Sequence, residues 1–172
     1  MKIMVVEHHP EWKEAYLKEE RDIQNVLHDE LVNSFHIGST SVPGLKAKPI
    51  IDILLVVCDI NALDKYSAQF EQLGYEVMGE FGIPGRRYFR KGGDNRTHHI
   101  HAFQYDHIQE IERHLAFRDY LCHHPEIAKE YGELKDELAK KYPNDNESYS
   151  DGKDDFVKKV EKQALIWHWT HR

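Results

Sequence analysis

One acid in a strongly apolar segment is the first feature of this chain that points to chemistry. Asp52 lies in the run Ile50–Val57, in which all the remaining residues are aliphatic. Because an unpaired buried carboxylate costs several kcal/mol or becomes protonated, we expect Asp52 to lie at the mouth of its strand or beside a partner. It is a candidate catalytic residue and metal ligand, although Leu54 stands where a magnesium site would need a second carboxylate. The structural alternative is an acid that only accepts hydrogen bonds or pairs with a cation.

A turn of small residues just before this segment has the composition of a phosphate-binding loop. Gly38 allows a ligand to approach the backbone closely, and hydroxyl groups follow at three successive positions, Ser39, Thr40 and Ser41. Lys48 is a nearby cation that can offset phosphate charge. A polar loop without function has the same composition, and it is the acid after the turn that favours phosphate binding.

Two histidines at alternate positions form the third candidate group. In the segment Thr97–Phe103, His99 and His101 would lie on the same face of a strand. Two imidazoles placed in this way can coordinate a metal together or hold a phosphate group. With Asp52 they give the predicted site for a divalent cation, Mg²⁺ or Mn²⁺. The pattern is weak for zinc, since no third and fourth ligand follow at a fixed local spacing.

The basic segment Arg86–Lys91 is the fourth candidate. Strand alternation would place Arg86 and Arg87 on opposite faces, and either guanidinium can bind phosphate through two parallel hydrogen bonds. The alternative is an edge strand whose charges prevent it from pairing with other chains.

Bulk composition limits the partners and the location that we expect. The 172 residues carry a net charge of −7, which argues against sequence-independent binding to duplex DNA. No stretch approaches the roughly 20 apolar residues of a membrane span, and the apolar part of the first residues is too short for a signal peptide. We therefore expect a cytoplasmic protein with no membrane partner, in which Cys58 and Cys122 are buried, reduced thiols.

Hydrophobic periodicity and turn residues predict a single α+β domain over residues 1–172, with a mixed sheet of about five strands and a helical C-terminal part. Helical spacing runs from Pro10 to about Val32 and again from Asp106 onward, with a polar loop at Pro143–Ser150. The predicted strands, of which the last three form a meander, are Phe35–Gly38, Ile50–Val57, Tyr75–Phe81, Arg86–Lys91 and Thr97–Tyr105.

Three segments of the chain together resemble the GrpB family of small bacterial proteins. They are His36–Leu45 continuing through Lys48–Ile53, then Thr97–His101, then Phe117–Leu121 with His124–Pro125. The resemblance extends over nearly the whole chain, and the first segment is its most specific part. It implies a nucleotidyltransferase-like fold and an activity that is largely undefined. Some relatives are fused to a dephospho-CoA kinase domain, which associates the family with nucleotide or coenzyme A metabolism.

The nucleotidyltransferase pattern consists of a Gly-Ser turn, an acid-x-acid pair on the next strand and a third acid on a later strand. Gly38–Ser39 match the turn, which gives Ser39 a catalytic role, and Asp52 matches the first acid. Leu54 replaces the second acid, and His99 or His101 lies in the region of the third. The resemblance therefore implies the fold more strongly than it implies the reaction.

The leading hypothesis is a protein that binds a nucleotide or related phosphate ligand and, if active, transfers a nucleotidyl group with the help of a metal. One alternative is a catalytically degenerate module of the same fold that binds a nucleotide or a coenzyme-A-related ligand. A second is a metal-dependent phosphohydrolase that uses the histidines. The predicted phosphate-binding residues are Gly38, Ser39, Thr40, Ser41, Lys48, Arg86 and Arg87.

Overall fold

Five strands form one mixed sheet in the computed structural model of the chain, which describes residues 2–171. The strands are β1 (Leu31–Ile37), β2 (Ile51–Val57), β3 (Tyr75–Val77), β4 (Arg86–Lys91) and β5 (His98–Gln104). The helices are α1 (Glu11–Leu27), α2 (Ser67–Gln72), α3 (Ile108–His123), α4 (Pro125–Lys141) and α5 (Asn146–Thr170). This α+β architecture confirms the predicted fold class.

The strand order β1-β2-β5-β4-β3 places β2 and β5 side by side in the interior of the sheet. These two strands are parallel, while all the other pairings are antiparallel. The meander predicted at the end of the sheet is present as β3, β4 and β5. The aliphatic run of β2 suits a central strand that is buried on both faces.

One face of the sheet carries the main apolar core. Helices α1 and α2 cover this face and meet alternate residues of β2, β4 and β5. Fully or almost fully buried members of the core include Ile23, Ile53, Phe70, Phe89 and Ile100. Because each such side chain contributes about 1.5–3 kcal/mol on burial, this face holds the strands firmly for the residues that point to the other side.

The opposite face is apolar over one part and polar over the rest. Ile37, Leu54 and Phe103 pack there against Ile111 and Leu115 of α3. The acid of β2 and two histidines of β5 lie on the same face, at alternate positions with these apolar residues. The polar part of this face is therefore where a ligand can reach the sheet.

The three C-terminal helices pack against one another beside the polar face. Their contact is centred on Leu121, Tyr131 and Val160, and it includes Val42 and Leu45 from the loop between β1 and β2. Within residues 2–171, no helix combines the length and the apolar character that crossing a bilayer requires.

The boundary between α1 and β1 differs from the prediction. The helix ends at Leu27, because His28 has a φ of 49° that interrupts it, and β1 begins at Leu31. The predicted helix to about Val32 was therefore too long, and the predicted strand Phe35–Gly38 too short. Leu31 continues the helical spacing of apolar residues, which is why the periodicity misled us.

Two other predicted boundaries are also corrected. Strand β3 ends at Val77 rather than Phe81, which lies in a loop and has a φ of 48°. Helix α5 begins at Asn146, inside the predicted loop, because the Asp145 carboxylate accepts a hydrogen bond of 3.0 Å from the backbone N–H of Ser148.

Both cysteines are exposed, so the prediction of buried thiols was wrong. Strand β2 ends at Val57, and the apolar run therefore stops one residue before Cys58. Cys122 lies in the last turn of α3, on its solvent side.

Candidate functional site

Asp52 and two histidines meet on the polar face of the sheet. Strands β2 and β5 are parallel, with Asp52 opposite His99 and Leu54 opposite His101, so both rings point toward the carboxylate. His99 Nδ1 and His101 Nε2 each lie 3.3 Å from Asp52 Oδ1. Burial alone would raise the pKa of Asp52, but the hydrogen bonds from His101 and His99 outweigh it and hold the pKa well below its usual range. Asp52 is therefore a carboxylate at neutral pH.

Arg86 determines which nitrogen of His101 carries the proton. The Nη1 atom of Arg86 lies 3.3 Å from His101 Nδ1, and a guanidinium can only donate. His101 Nδ1 therefore accepts, and we assign the ring proton to Nε2, from which it is donated to Asp52. A ring in this tautomer has no lone pair on Nε2 for a metal ion.

The predicted cation site at Asp52, His99 and His101 fits a metal poorly. Within residues 2–171, no group of three or more His, Cys, Asp or Glu side chains is arranged to hold a metal ion. Leu54 leaves the site with one carboxylate, and Arg86 occupies the nitrogen that would have to carry the proton if His101 were a ligand. Binding of Mg²⁺ or Mn²⁺ stays a prediction.

The small-residue turn packs directly against the acid. Gly38 has a φ of 73°, and a Cβ atom at this position would lie 2.6 Å from Asp52 Oδ2, so only glycine fits here without a shift. Two of the three hydroxyl groups bond to groups of the protein in or beside the turn. The Thr40 hydroxyl contacts His36 Nε2 at 2.9 Å, and the Ser41 hydroxyl donates to the carbonyl of Gly38. The structure therefore does not direct Thr40 and Ser41 toward a ligand.

Ser39 is the hydroxyl of the turn that faces the site, and it leads to a lysine that the sequence analysis missed. Its Oγ accepts a hydrogen bond of 2.7 Å from Lys135 Nζ of α4. Lys135 is only 2% exposed. Its position four residues after buried Tyr131, on the apolar side of α4, was the available signal in the sequence.

Two further lysines from other parts of the chain lie near Lys135, and we call the three together the lysine cluster: Lys48, Lys135 and Lys153. Lys48 Nζ lies 4.8 Å and Lys153 Nζ 5.2 Å from the centre of the Tyr149 ring, and Lys135 Nζ lies 4.4 Å from the centre of the Tyr131 ring. The hydroxyl of Tyr149 is buried and has no hydrogen-bond partner in the described part of the chain. The cluster thus contains a polar atom that a ligand could satisfy.

The cluster concentrates three amines although the chain as a whole is acidic. Burial first, and then the neighbouring charges of Lys153 and Lys48, lower the pKa of Lys135 to about 6, while Asp52 acts in the opposite direction. Burial and Lys48 lower the pKa of Lys153 to about 8. Burial is the larger cause of both shifts and repulsion between the lysines is the smaller one, so the amines of the cluster lose their protons more readily than exposed lysines do.

The two arginines predicted to bind phosphate have different positions. Arg86 is buried, lies on the polar face and contacts His101, as described above. Arg87 points to the other face, where its Nε donates to Asp64 Oδ1 at 2.8 Å and its Nη2 donates to Asn61 Oδ1 at 3.2 Å. The structure therefore does not bring Arg87 to the site.

A cleft of about 880 Å³ opens beside the acid and runs outward across the sheet. His99, Tyr88 and Lys48 line the part next to Asp52. Exposed or half-buried side chains of β4 and of the loops beside it line the rest, among them Phe81, Arg90, Arg96 and Asn95. The volume is within the range of small-molecule sites.

Two histidines near the site are held neutral, and the sequence analysis had assigned neither a role. Burial, with the nearby His101 and Arg113, lowers the pKa of His114 on α3 to about 3. Burial also lowers the pKa of His36 to about 4, although Asp52 opposes the shift, and the His36 ring stacks on Tyr16. Both rings act as packing and hydrogen-bonding groups at neutral pH.

Comparison with known proteins identifies relatives over almost the whole chain. The chain is 44% identical to UPF0157 protein YqkA of Bacillus subtilis over 166 residues, which are 96% of this chain and 48% of that protein, so it spans about half the length of that relative. It is 34% identical to glutamate-rich protein GrpB of Alkalihalophilus pseudofirmus, with 92% of this chain and 93% of that protein covered.

A solved structure and a family match agree with these relatives. The crystal structure of conserved protein GrpB from Enterococcus faecalis superposes with a TM-score of 0.94 at 49% identity, covering 96% of this chain and 99% of that one. The family model described as GrpB protein matches this chain over residues 2–163. The resemblance drawn from the sequence motifs is thereby confirmed, and the chain belongs to the GrpB family.

Proposed function

We propose that the cleft beside Asp52 binds a nucleotide or a related phosphate-bearing small molecule. The phosphates would lie at the lysine cluster and at the Ser39 hydroxyl, within reach of the buried Tyr149 hydroxyl. The observation that carries the proposal is a group of three neighbouring lysines, one of which donates to Ser39, with Asp52 as the acid that counteracts them.

Without a ligand, this arrangement of lysines is unfavourable in free energy. Gathering lysines in a partly dry site is unfavourable, because each loses hydration and repels the others. An anion with several charges removes the repulsion, returns the lysines to their protonated form and is itself held by charge-assisted hydrogen bonds. A chain with a net charge of −7 has no general reason to concentrate lysines, so the cluster favours a local anionic ligand.

Nucleotidyl transfer is the reaction that this arrangement could support. The oxygen of an acceptor hydroxyl would bond to the α-phosphorus while the bond to pyrophosphate breaks, and the hydroxyl proton would leave with the departing pyrophosphate, whose charge the lysine cluster would stabilise. Asp52, held by His99 and His101, would accept a hydrogen bond from the acceptor and orient it. A carboxylate with a lowered pKa is a weak base, so orientation is the larger part of its role.

A binding module without catalysis is the second candidate. The specific observation in its favour is Leu54, which leaves the site with one carboxylate where the nucleotidyltransferase pattern has a pair. Its ligand would use the same lysines, so binding experiments test both candidates and turnover distinguishes them.

The decisive experiment is isothermal titration of the wild-type chain with nucleoside triphosphates, each with and without Mg²⁺ or Mn²⁺. Lys135→Met should weaken binding at least about 10-fold, because it removes a buried charge from the phosphates. Lys140→Met is the matched control, since Lys140 is an exposed lysine on the same helix. Absence of binding under every condition, or equal affinity of the wild type and Lys135→Met, would contradict the proposal.

Release of pyrophosphate separates the two candidates. With a panel of acceptors, nucleotidyl transfer predicts release that Asp52→Asn abolishes while nucleotide affinity is kept. Binding without release from any acceptor would favour the module.

A further inference from the structure

Phe81 is an exposed aromatic side chain in an unusual backbone conformation. It is 52% exposed and lies in the loop between β3 and β4. Its φ of 48° is in the left-handed region, which is unfavourable for a bulky residue. Such a conformation persists when the surroundings fix it, and it is found most often at ligand sites.

The surroundings that fix Phe81 also form part of the candidate site. The guanidinium of buried Arg86 donates to the carbonyl of Glu80 at 3.2 Å and to that of Phe81 at 2.9 Å. The same guanidinium contacts His101 Nδ1, as described above. One buried cation therefore sets the position of Phe81 relative to the acid and its histidines.

The ring of Phe81 lines the cleft and packs against two other residues that line it. It stacks on Tyr88, with ring centres 5.1 Å apart and planes 19° apart, and Tyr88 in turn reaches the site histidines. The guanidinium of Arg90 lies 5.5 Å from the centre of the Phe81 ring. Aromatic rings combined with arginine form the usual stacking surface for nucleic acid bases, because every base has a π face.

We propose that Phe81 is the stacking surface for a planar ring of the ligand whose phosphates lie at the lysine cluster. This inference rests on the function proposed above and narrows it. The ligand class is then a phosphate ester that carries a base, such as a nucleoside triphosphate, in preference to inorganic polyphosphate or a sugar phosphate. The cleft connects the two regions, since Lys48, His99, Tyr88 and Phe81 all line it.

The test compares two probes, a panel of the four nucleoside triphosphates and inorganic tripolyphosphate, by isothermal titration. Phe81→Asn is the informative variant, because asparagine adopts positive φ more readily and lacks the ring. It should weaken the best nucleoside triphosphate at least about 5-fold and leave tripolyphosphate within 2-fold of the wild type. Phe81→Trp should keep the affinity. Tyr105→Asn is the control, since Tyr105 is an equally exposed aromatic residue that does not line the cleft.

Thermal melting of the same variants checks that the loss is local. Phe81→Asn should melt at or above the wild-type temperature, because the strained backbone is relieved; Phe81→Gly is the second variant with the same expectation. If the wild type binds tripolyphosphate as tightly as every nucleotide, or if Phe81→Asn weakens both probes equally, the stacking role is overturned while phosphate binding stands. If the wild type binds neither probe, both proposals fail.

Discussion

Two carboxylates lie against opposite faces of the same sheet, and each contacts a histidine of β5. On the core face, Glu19 of α1 lies 3.8 Å from His98, and on the polar face Asp52 lies 3.3 Å from His99. The two histidines are neighbours in the sequence, and strand alternation sends them to opposite sides. In composition the two arrangements are almost the same.

The two arrangements differ in how fully the protein encloses the carboxylate. The Glu19 side chain is 3% exposed, and its Oε1 accepts hydrogen bonds from the Tyr75 hydroxyl at 2.7 Å and from Lys91 Nζ at 2.6 Å. The Asp52 side chain is 26% exposed, contacts His99, which lines the cleft, and interacts electrostatically with three lysines. A buried acid with a histidine is therefore weak evidence of function by itself. Access and surplus charge of one sign distinguish a candidate site from a structural ion pair.

Removing Lys91, the cation that pairs with buried Glu19, should have the largest effect on stability. Lys91→Met leaves Glu19 buried with an unneutralised charge, so we expect a loss of about 2–4 kcal/mol of unfolding free energy in urea titration. Nucleotide affinity should change less than 2-fold. The exposed Lys65→Met is the control. Unchanged stability would mean that the Glu19 arrangement is not the closed structural pair described here.

Removing Lys135, which lies on the side of the sheet that carries Asp52, should change the free energy of unfolding in the opposite direction. The pKa of Lys135 falls from its ordinary value of 10.5 to about 6, so between these values the unfolded chain holds a proton that the folded chain releases. The resulting destabilisation is absent above pH 10.5, grows as the pH falls and is complete near pH 6. Lys135→Met should therefore raise the stability of the ligand-free protein at pH 7 by about 1–3 kcal/mol.

Urea titrations of Lys135→Met and the wild type at pH 7 and at pH 10.5 measure this effect. The gain at pH 7 should shrink at the higher pH. A variant less stable than the wild type at pH 7 would show that Lys135 is needed for the fold, and it would erase the contrast with Lys91.

A smaller effect on the pH dependence of stability is expected from His114, the neutral histidine of α3 next to His101. Because the folded pKa of His114 is about 3, the unfolded chain binds a proton first as the pH falls below 6.5. This group therefore stabilises the fold above pH 6.5, and the contribution is lost progressively toward pH 3. Between pH 6.5 and 5, His114→Gln should reduce the acid-induced loss of stability by about 1 kcal/mol, while the exposed His123→Gln should not. Identical pH profiles of all three proteins would contradict this assignment.

The sequence was sufficient for the sheet and for part of the site. The aliphatic run around Asp52 and the alternation of His99 and His101 are local patterns, and they indicated the correct strands. That β2 and β5 are adjacent depends on pairing between distant segments, which local spacing does not contain. Lys135 and Lys153 come from helices even farther along the chain. The spacing from Tyr131 indicates that Lys135 lies on the apolar side of its helix, but only the tertiary structure brings it beside Ser39.

The hydroxyl-rich turn illustrates a second limit of sequence reasoning. Ser39, Thr40 and Ser41 are nearly equivalent in composition, and all three were predicted to bind phosphate. The short turn at Ser39–Ser41 directs one hydroxyl to Lys135 and the other two into the protein. Backbone geometry within three residues decides which hydroxyl a ligand can reach, and residue type does not specify that geometry.

If strand β5 shifted by one residue along its neighbours, the side chains of its core face and of its polar face would change places. A slip by one residue would turn His99 into the apolar core and Ile100 out toward the cleft, and both carboxylates would lose their imidazoles together. Insertions or deletions of one residue inside β5 should therefore be far more damaging than the same changes in the exposed loop at 92–95, where chain length can vary without moving the strand. The pair of adjacent histidines thus fixes the alignment of the sheet from both sides at once.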